Sequence, residues 1–354
     1  MITNFPAQAR RLVLLFGLVF LIADALFFGL LGQMFSGFHH QISGKSFQGR
    51  VHLYSTLPGR PKTKPRIAIV THYSSDAYGQ ELRKLTWNNK KEYAKVRGYD
   101  IYDAEANPAI KAKIDSMREK MHNFYFFKYV AVQELLNGGD ATDGKQYDWV
   151  VWTDADSIFL NHGKRFEDIV DDRFDVIVTA GPPDNPTWKG VVNAGSFVVK
   201  NSEFSQIFLE DVLQMSQGHC GEFVIEYPDA GTAVNGWLQT CNPDGGYWLS
   251  DQGILIGLYT FKPAEYRCHF KKTWFRAFSS EFPWYGPGDL AVHFPGKSMD
   301  DRRKLIKAFS KFTNFKTGAV EYKFTDLLDP DDSITSDLVE LEVFYREMNP
   351  VCEA

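Results

Sequence analysis

Two carboxylates separated by one small residue lie in the middle of the chain: Asp154 and Asp156, with Ala155 between them. Alternate residues of an extended segment point to the same side, so both carboxylates can face one hard cation. A divalent cation that is held by few protein oxygens keeps free positions for phosphate oxygens. The pair therefore predicts the metal and diphosphate site of a nucleotide-sugar enzyme, although a bare D-x-D also arises by chance in long chains.

The residues before this pair predict a strand that positions it. Trp149 to Thr153 is a run of aromatic and β-branched residues, which is typical of a strand buried on both faces in a parallel sheet. Ligands of open α/β sheets bind at the carboxyl ends of the strands. Acidic side chains are seldom buried without a partner, so two acids at this strand end indicate a ligand site.

Small and polar residues interrupt a later strand, Val191 to Lys200, at Asn193, Gly195 and Ser196. Small residues inside a strand indicate close approach of a ligand or of another backbone. The alternative is a β-bulge without a ligand. These three residues are therefore candidate ligand contacts.

A carboxylate and an amide, Asp251 and Gln252, stand at the start of an apolar segment that predicts a helix from Gly253 to Tyr259. At a helix start they can meet a sugar and its acceptor. The alternative is that Asp251 only caps the helix.

His293 ends a short predicted strand that begins at Asp289, and a Pro-Gly turn separates it from Lys297. A lone histidine is more often structural than a ligand, but a strand end before a glycine turn also suits a ligand. Both readings stay open from the residues alone.

Lys128 and Thr71 are two further candidates near phosphate. Lys128 lies in an apolar helix predicted from Phe124 to Leu136; it either points at phosphate or reaches the surface along its aliphatic stem. Thr71 ends the first predicted strand, which begins at Arg66, and a turn-rich stretch follows. This turn holds a nucleotide or is an ordinary loop.

The remaining elements predict an α/β fold. A helix that is closed by Gly98 lies between the first strand and a second one, which is a βαβ arrangement. The predicted elements of this part of the chain are the helix Leu82 to Val96, the strands Tyr99 to Tyr102 and Asp175 to Thr179, and the helix Ser205 to Met215.

The composition suits one large domain with appendages. The chain has 354 residues, of which 44% are hydrophobic, and this is enough for a full core. Its net charge of −5 argues against nucleic acid as a partner. The four cysteines show no zinc-site spacing; Cys220 and Cys241 bracket a loop-like stretch and can pair in an oxidising compartment.

The N-terminal segment from Leu12 to Leu31 is apolar except for Asp24, and it follows Arg10 and Arg11. About 20 residues are needed to cross a bilayer, and the basic pair favours a cytoplasmic N-terminus. We predict a cytoplasmic tail (1–11), a transmembrane signal-anchor (12–32), a stem (33–65), a catalytic domain (66–325) and an acidic, then helical extension (326–354). A cleaved signal peptide is the alternative.

Five segments resemble one family in order: the fungal α-galactosyltransferase and α-1,6-mannosyltransferase family, which includes plant xyloglucan xylosyltransferases. Arg97 stands where that family usually has histidine. The segments that carry the resemblance are WNNKKEYAKVRGYDIYDA, YDWVVWTDADSIFLN, VVNAGSFVVKNSEF, WLSDQGILIGLY and DLAVHFPGK.

The resemblance implies a GT-A fold, Mn²⁺ and retention of anomeric configuration. Asp154, Asp156 and His293 match its metal ligands. Asp251 and Gln252 match a pair near the reacting sugar. The donor contacts that the resemblance implies are Asn193, Gly195 and Ser196, with Lys128 matching a family lysine more loosely and Lys297 lying one residue before the plant-type lysine.

The resemblance also implies a single-pass type II protein of the Golgi membrane with a lumenal catalytic domain, assembled with related glycosyltransferases. Its donors are UDP-galactose, GDP-mannose or UDP-xylose, and its acceptor is a glycan or glycoprotein. Two other classes compete with this reading. A non-catalytic carbohydrate-binding protein of the same fold predicts a missing metal ligand, and a phosphohydrolase predicts more clustered ligands for two metals.

Overall fold

The computed structural model of the protein describes residues 64–121, 124–181, 192–217, 251–261, 264–273, 276–282, 284–286, 288–316 and 319–320. The predicted signal-anchor (12–32), nearly all of the stem, the Cys220–Cys241 pair and the C-terminal extension lie outside these residues. Among the helices of the described residues, none has both the length and the apolar character of a membrane span.

The strands of the described residues are mostly short. They are β1 (Ile67–Thr71), β2 (Asp100–Asp103), β3 (Trp149–Thr153), β4 (Ser157–Phe159), β5 (Val176–Ala180), β6 (Val192–Lys200), β7 (Phe270–Thr273), β8 (Ser280–Glu281), β9 (Ala291–His293), β10 (Thr313–Asn314) and β11 (Ala319–Val320).

The helices of the described residues lie between groups of these strands. They are α1 (Ala77–Arg97), α2 (Pro108–Met117), α3 (Phe127–Asn137), α4 (Glu203–Ser216), α5 (Asp251–Phe261), α6 (Ala264–Arg267) and α7 (Met299–Phe312). Short 3₁₀ turns cover Arg118–Lys120, Phe124–Phe126, Gly139–Thr142 and Phe166–Asp168.

In the described part of the chain, six strands form the main sheet in the order β2-β1-β3-β6-β5-β7. The predicted α/β architecture is confirmed, and β3 pairs in parallel with β1. The sheet is mixed rather than purely parallel, because β6 runs antiparallel to both β3 and β5. The start of β6 therefore lies beside the end of β3, where the two aspartates follow.

Alternate residues of the central strands pack into two different cores. Val150 and Trp152 face the cluster that contains α3, α4 and α5, whereas Trp149 and Val151 face the cluster with Tyr93 of α1. The strand is thus buried on both faces, as the run of apolar residues predicts.

A second sheet of the described residues has the order β4-β9-β8. Its strand β9 ends at His293. Ile158 of β4 and Val292 of β9 pack with Ile306 and Phe309 of α7. No sequence pattern used above predicts α7, although its apolar residues pack against this small sheet.

Capping residues fix the bounds of α1. Asp76 accepts a hydrogen bond from the backbone N–H of Gly79, so the helix begins at Ala77, earlier than the predicted Leu82. Gly98 ends it in the left-handed conformation with φ of 73°, as predicted. The predicted helix from Phe124 begins as a 3₁₀ turn, and the α-helix starts at Phe127.

Candidate active site

The two aspartates lie in a tight turn directly after β3. The backbone N–H of Asp154 donates to the carbonyl of Gly195 over 2.9 Å, which ties the turn to β6. The carbonyl of Asp154 accepts hydrogen bonds from the backbone N–H and the hydroxyl of Ser157, at 3.2 and 2.7 Å. The turn therefore has a fixed geometry at the carboxyl edge of the main sheet.

Strand pairing brings His293 to this turn. β9 runs antiparallel to β4, with His293 opposite Ser157. The imidazole Nε2 of His293 lies 3.1 Å from Oδ1 of Asp156 and 3.6 Å from Oδ2 of Asp154. One ligand atom from each of the three residues lies within 4.8 Å of the others. The juxtaposition that the metal hypothesis requires is thus present.

The second oxygen of each carboxylate is held by protein donors. Oδ1 of Asp154 accepts from the indole N–H of Trp152 at 2.7 Å and from Lys128 Nζ at 3.2 Å. Oδ2 of Asp156 accepts from Arg302. The other two oxygens consequently face His293 Nε2. Two carboxylate oxygens and one imidazole nitrogen suit Mn²⁺ or a similar divalent cation, and outer donors of this kind orient metal ligands.

The charges at the site favour an ionised Asp156. Burial alone would raise its pKa, but the His293 imidazole and the Arg302 guanidinium outweigh burial and lower the pKa to about 2. For His293, burial lowers the pKa. The nearby carboxylates of Asp156 and Asp154 raise it by more than burial lowers it, so the pKa of His293 lies above its usual value. In the metal-free site the charge of Asp156 is therefore balanced by His293 and Arg302, and a bound cation would take the place of the proton on His293.

Lys128 joins the turn that holds the two aspartates (residues 154–156, called the metal turn below) to Asp251. Its ammonium is buried and lies 2.7 Å from Oδ2 of Asp251 and 3.2 Å from Oδ1 of Asp154. It also donates to the carbonyl of Ala194 at 3.0 Å. These three protein acceptors match its three N–H bonds, so Lys128 positions the acids, and a phosphate contact would require it to release one of them.

Asp251 and Gln252 form the first turn of α5, as the sequence predicts. Asp251 is buried, and burial raises its pKa, although Lys128 opposes this. The side-chain oxygen of Gln252 accepts from the backbone N–H of Ala194 at 3.3 Å. Both residues thus lie beside β6 and the metal turn.

The strand β6 runs without a break through Asn193, Gly195 and Ser196, but its pairing with β5 is irregular there. Its register with β5 shifts between Val178 and Thr179, and residues 194–196 have no partner there. On the other side Ser196 pairs with Thr153. A Cβ on Gly195 would lie 2.6 Å from Nδ1 of His293. The alternative of a bulge is therefore present, and the close approach at Gly195 is to the side chain of His293; contact of these residues with a ligand stays a prediction.

Asn193 links the strand to a carboxylate that the sequence analysis missed. Its Oδ1 accepts from the backbone N–H of Gly195 at 2.7 Å, and its Nδ2 donates to Glu281. Glu281 of β8 is the parallel neighbour of His293 in β9. Burial raises the pKa of Glu281. No local pattern marks this residue, because its partners come from β6 and β9.

Lys90 is a second residue that sequence reasoning missed. It is fully buried, and its Nζ donates to the carbonyl of Asp154 at 2.6 Å and to the hydroxyl of Thr71 at 3.2 Å. Burial lowers its pKa to about 7. The helical spacing of Leu82, Thr86 and Lys90 on the buried face of α1 is the signal that could have found it. Thr71 itself is fully buried and supports this lysine.

Lys297 is set apart from the metal turn by its contacts. Its ammonium lies 5.7 Å over the ring of Phe282, and among the described residues it forms no ion pair with either aspartate. The cation that touches Asp156 is instead Arg302 of α7, which no sequence motif marked.

Comparisons with known proteins give weak similarities, and all of them are to structures. No family model and no curated protein matches the chain. A glycosyltransferase involved in the glycosylation of the major capsid of PBCV-1 is 14% identical with a TM-score of 0.46, over 69% of this chain and 99% of that one. The galactosyltransferase LgtC, crystallised with donor and acceptor sugar analogues, is 11% identical with a TM-score of 0.39, over 69% and 94%.

A third structure is the Drosophila β1,4-galactosyltransferase 7 in complex with manganese, UDP-Gal and xylobiose. It is 11% identical with a TM-score of 0.34, over 68% of this chain and 79% of that one. The named structures are all glycosyltransferases. Because the TM-scores of these three structures lie below 0.5, the functional proposal rests on the residues of the site.

Proposed function

We propose that the chain is a metal-dependent glycosyltransferase that moves a hexose, galactose or mannose, from a nucleotide-sugar to a glycan or glycoprotein acceptor with retention of configuration. The observation that carries the proposal is the convergence of Asp154, Asp156 and His293 at the carboxyl edge of a mixed α/β sheet. The five ordered segments that resemble the fungal and plant transferases support it. Transfer of xylose by the same site is the alternative within this proposal.

The residues that would hold the cation are Asp154, Asp156 and His293. When bound, Mn²⁺ supplies Lewis-acid stabilisation of the leaving nucleoside diphosphate. In the metal-free chain His293 and Arg302 lower the pKa of Asp156; when His293 is a neutral ligand, Arg302 is the cation that favours the ionised carboxylate. Trp152 and Lys128 fix the orientation of Asp154, so that its remaining oxygen stays turned towards the cation position.

The sugar end of the site is built by β6 and the start of α5. Asp251 and Gln252 lie next to Ala194 and Lys128. In the proposed reaction they orient the acceptor or stabilise positive charge that develops on the sugar. The acceptor hydroxyl attacks the anomeric carbon from the side of the leaving group, and the departing phosphate takes its proton.

We further propose a Golgi location as a single-pass type II protein, with the catalytic domain in the lumen. The apolar segment from Leu12 to Leu31 supports this. So does Cys268, which is disulfide-bonded, because disulfides persist mainly in oxidising compartments. Protease protection of the catalytic domain in intact microsomes tests this topology.

The decisive experiment is the release of nucleoside diphosphate from UDP-galactose, GDP-mannose and UDP-xylose by purified protein, with and without Mn²⁺. We expect Mn²⁺-dependent release from one donor, with glycan acceptors accelerating it. Asp156→Ala should abolish release while circular dichroism shows a retained fold. A folded Asp156→Ala variant with a near-normal rate in Mn²⁺ would overturn the metal assignment.

A further inference from the structure

Helix α7 presents two adjacent arginines in different environments. The side chain of Arg302 is 11% exposed, whereas that of Arg303 is 37% exposed. Both reach α1: Arg302 donates to the hydroxyl of Tyr78, and Arg303 donates to Glu81 over 3.0 Å. Only Arg302 also touches the metal turn.

The guanidinium of Arg302 holds one oxygen of a metal ligand. Its Nε lies 2.9 Å and its terminal NH2 group 2.8 Å from Oδ2 of Asp156. The other oxygen, Oδ1, is left facing Nε2 of His293 at 3.1 Å. Two donors on one oxygen restrict rotation of the carboxylate, since the guanidinium is a rigid fork.

The same guanidinium also reaches the strand that carries the imidazole. Nε of Arg302 donates to the carbonyl of Phe294 at 3.1 Å, and the backbone N–H of Phe294 donates to the carbonyl of Asp156 at 3.1 Å. Phe294 follows His293 directly. One buried side chain therefore contacts a carboxylate ligand and the backbone next to the imidazole ligand.

Tyr78 supports the far end of the guanidinium. Its hydroxyl accepts from NH1 of Arg302, and the guanidinium carbon lies 5.7 Å from the ring centroid. Tyr78 is 45% exposed and stands in the first turn of α1. The contacts run from an exposed ring, through a buried cation, to a metal ligand.

We propose that Arg302 is a positioning residue for the metal ligands: it sets Asp156 and the backbone after His293 in register for one divalent cation, with Tyr78 as its support. The inference rests on the proposed function, because the cation is the one that the transferase would use. It assigns the cationic partner of Asp156 to α7 and not to the turn that contains Lys297.

The test compares Mn²⁺ dissociation constants, measured by titration calorimetry, for the wild type, Arg302→Met, Arg302→Lys, Tyr78→Phe and Arg303→Met. Loss of an outer partner of a metal ligand typically weakens metal affinity by roughly 10–100-fold, and we expect this for Arg302→Met. Arg302→Lys keeps the charge but not the fork and should recover part of the affinity. Tyr78→Phe should give a smaller loss, and Arg303→Met, the matched control on the same helix, should stay within about twofold of wild type.

A merely structural role for Arg302 predicts a lower melting temperature with an unchanged Mn²⁺ dissociation constant, and that result would overturn the inference. Equal losses for Arg303→Met and Arg302→Met would overturn it as well. If Arg302→Met does not fold, Arg302→Lys and Tyr78→Phe decide: wild-type affinity in both contradicts the inference. A wild type that binds no Mn²⁺ also contradicts it. Mn²⁺ binding without transfer from any donor contradicts only the proposed function.

Discussion

Gly195 lies against the imidazole of His293, so the lack of a side chain there is part of the site. A methyl group on Gly195 would lie 2.6 Å from Nδ1, and the histidine would have to move away from the two aspartates. We expect Gly195→Ala to weaken Mn²⁺ binding by more than about tenfold, since a displaced ligand loses its bond geometry. Calorimetric titration measures this effect. Ser196→Ala, the neighbouring change in the same strand, should leave the affinity near wild type, and an equal loss there would contradict the explanation.

Under the proposed function, we expect His293 to make metal binding depend on pH. Without metal, burial lowers its pKa, but the two carboxylates raise it above 6.5 overall. A cation must displace the proton from Nε2 whenever the pH lies below that raised pKa. We expect the Mn²⁺ dissociation constant to rise by about tenfold for each pH unit below it, because one proton is exchanged for one metal ion.

Titrations of Mn²⁺ binding between pH 5 and pH 8.5 measure this dependence. A dissociation constant that stays flat across the range would show that Nε2 of His293 is not a ligand.

The contribution of His293 to the free energy of unfolding of the metal-free protein has the opposite pH dependence. It is fully present below pH 6.5 and is lost as the pH rises through the raised pKa.

The sequence was informative about residues whose chemistry is marked locally. Asp154 and Asp156 follow a buried strand directly, and His293 ends one, so their places at strand ends were predictable. Arg302 and Glu281 were not predictable, because each gains its role from partners in distant parts of the chain. A charged residue on a helix or a short edge strand looks like any surface residue until the fold is known.

At the scale of elements, Lys128 connects three of them: its own helix α3, the turn after β3 and the start of α5. Lys128→Met would leave the buried carboxylate of Asp251 without a cation, which typically costs about 3–5 kcal/mol. Urea unfolding should show this loss. A double variant with Asp251→Asn should recover part of it, since the uncompensated charge is then removed.

A surface pair provides the control for this prediction. Lys145 pairs with Asp100, and both side chains are more than one third exposed. Lys145→Met should cost less than about 1 kcal/mol. Equal losses for the two lysine variants would show that Lys128 is not an ion-pair anchor of the site.

The order and type of the long elements were predictable, whereas their pairing was not. The apolar run predicted the bounds of β3, and the glycine after α1 predicted where that helix ends. The antiparallel direction of β6 has no local signal, because alternation and β-branching are the same in either direction. The helices α2 and α7 were missed. Most residues of α7 are polar, so the few apolar ones that pack on the small sheet do not form a clear helical pattern in the sequence.

At the scale of the whole molecule, a bound cation should stabilise the folded state, since its ligands meet only when both sheets have formed. At a free Mn²⁺ concentration of one hundred times the dissociation constant, we expect the free energy of unfolding to rise by about 2.7 kcal/mol. Thermal melts with and without Mn²⁺ measure this. His293→Ala should lose the shift. Asp172→Asn, at a side chain that is 84% exposed, should keep it; loss of the shift in both variants would indicate binding elsewhere.

The wide separation of the contacting residues in the chain has a consequence for biosynthesis. Asp156 and Arg302 are 146 positions apart. At about 5–20 residues per second, a ribosome needs roughly 7–30 s to travel from one codon to the other. During that interval the nascent acids have neither their arginine nor their imidazole beside them. A chain that is terminated before β9 and α7 lacks both the imidazole and the arginine, so we expect it to bind no Mn²⁺ at this site.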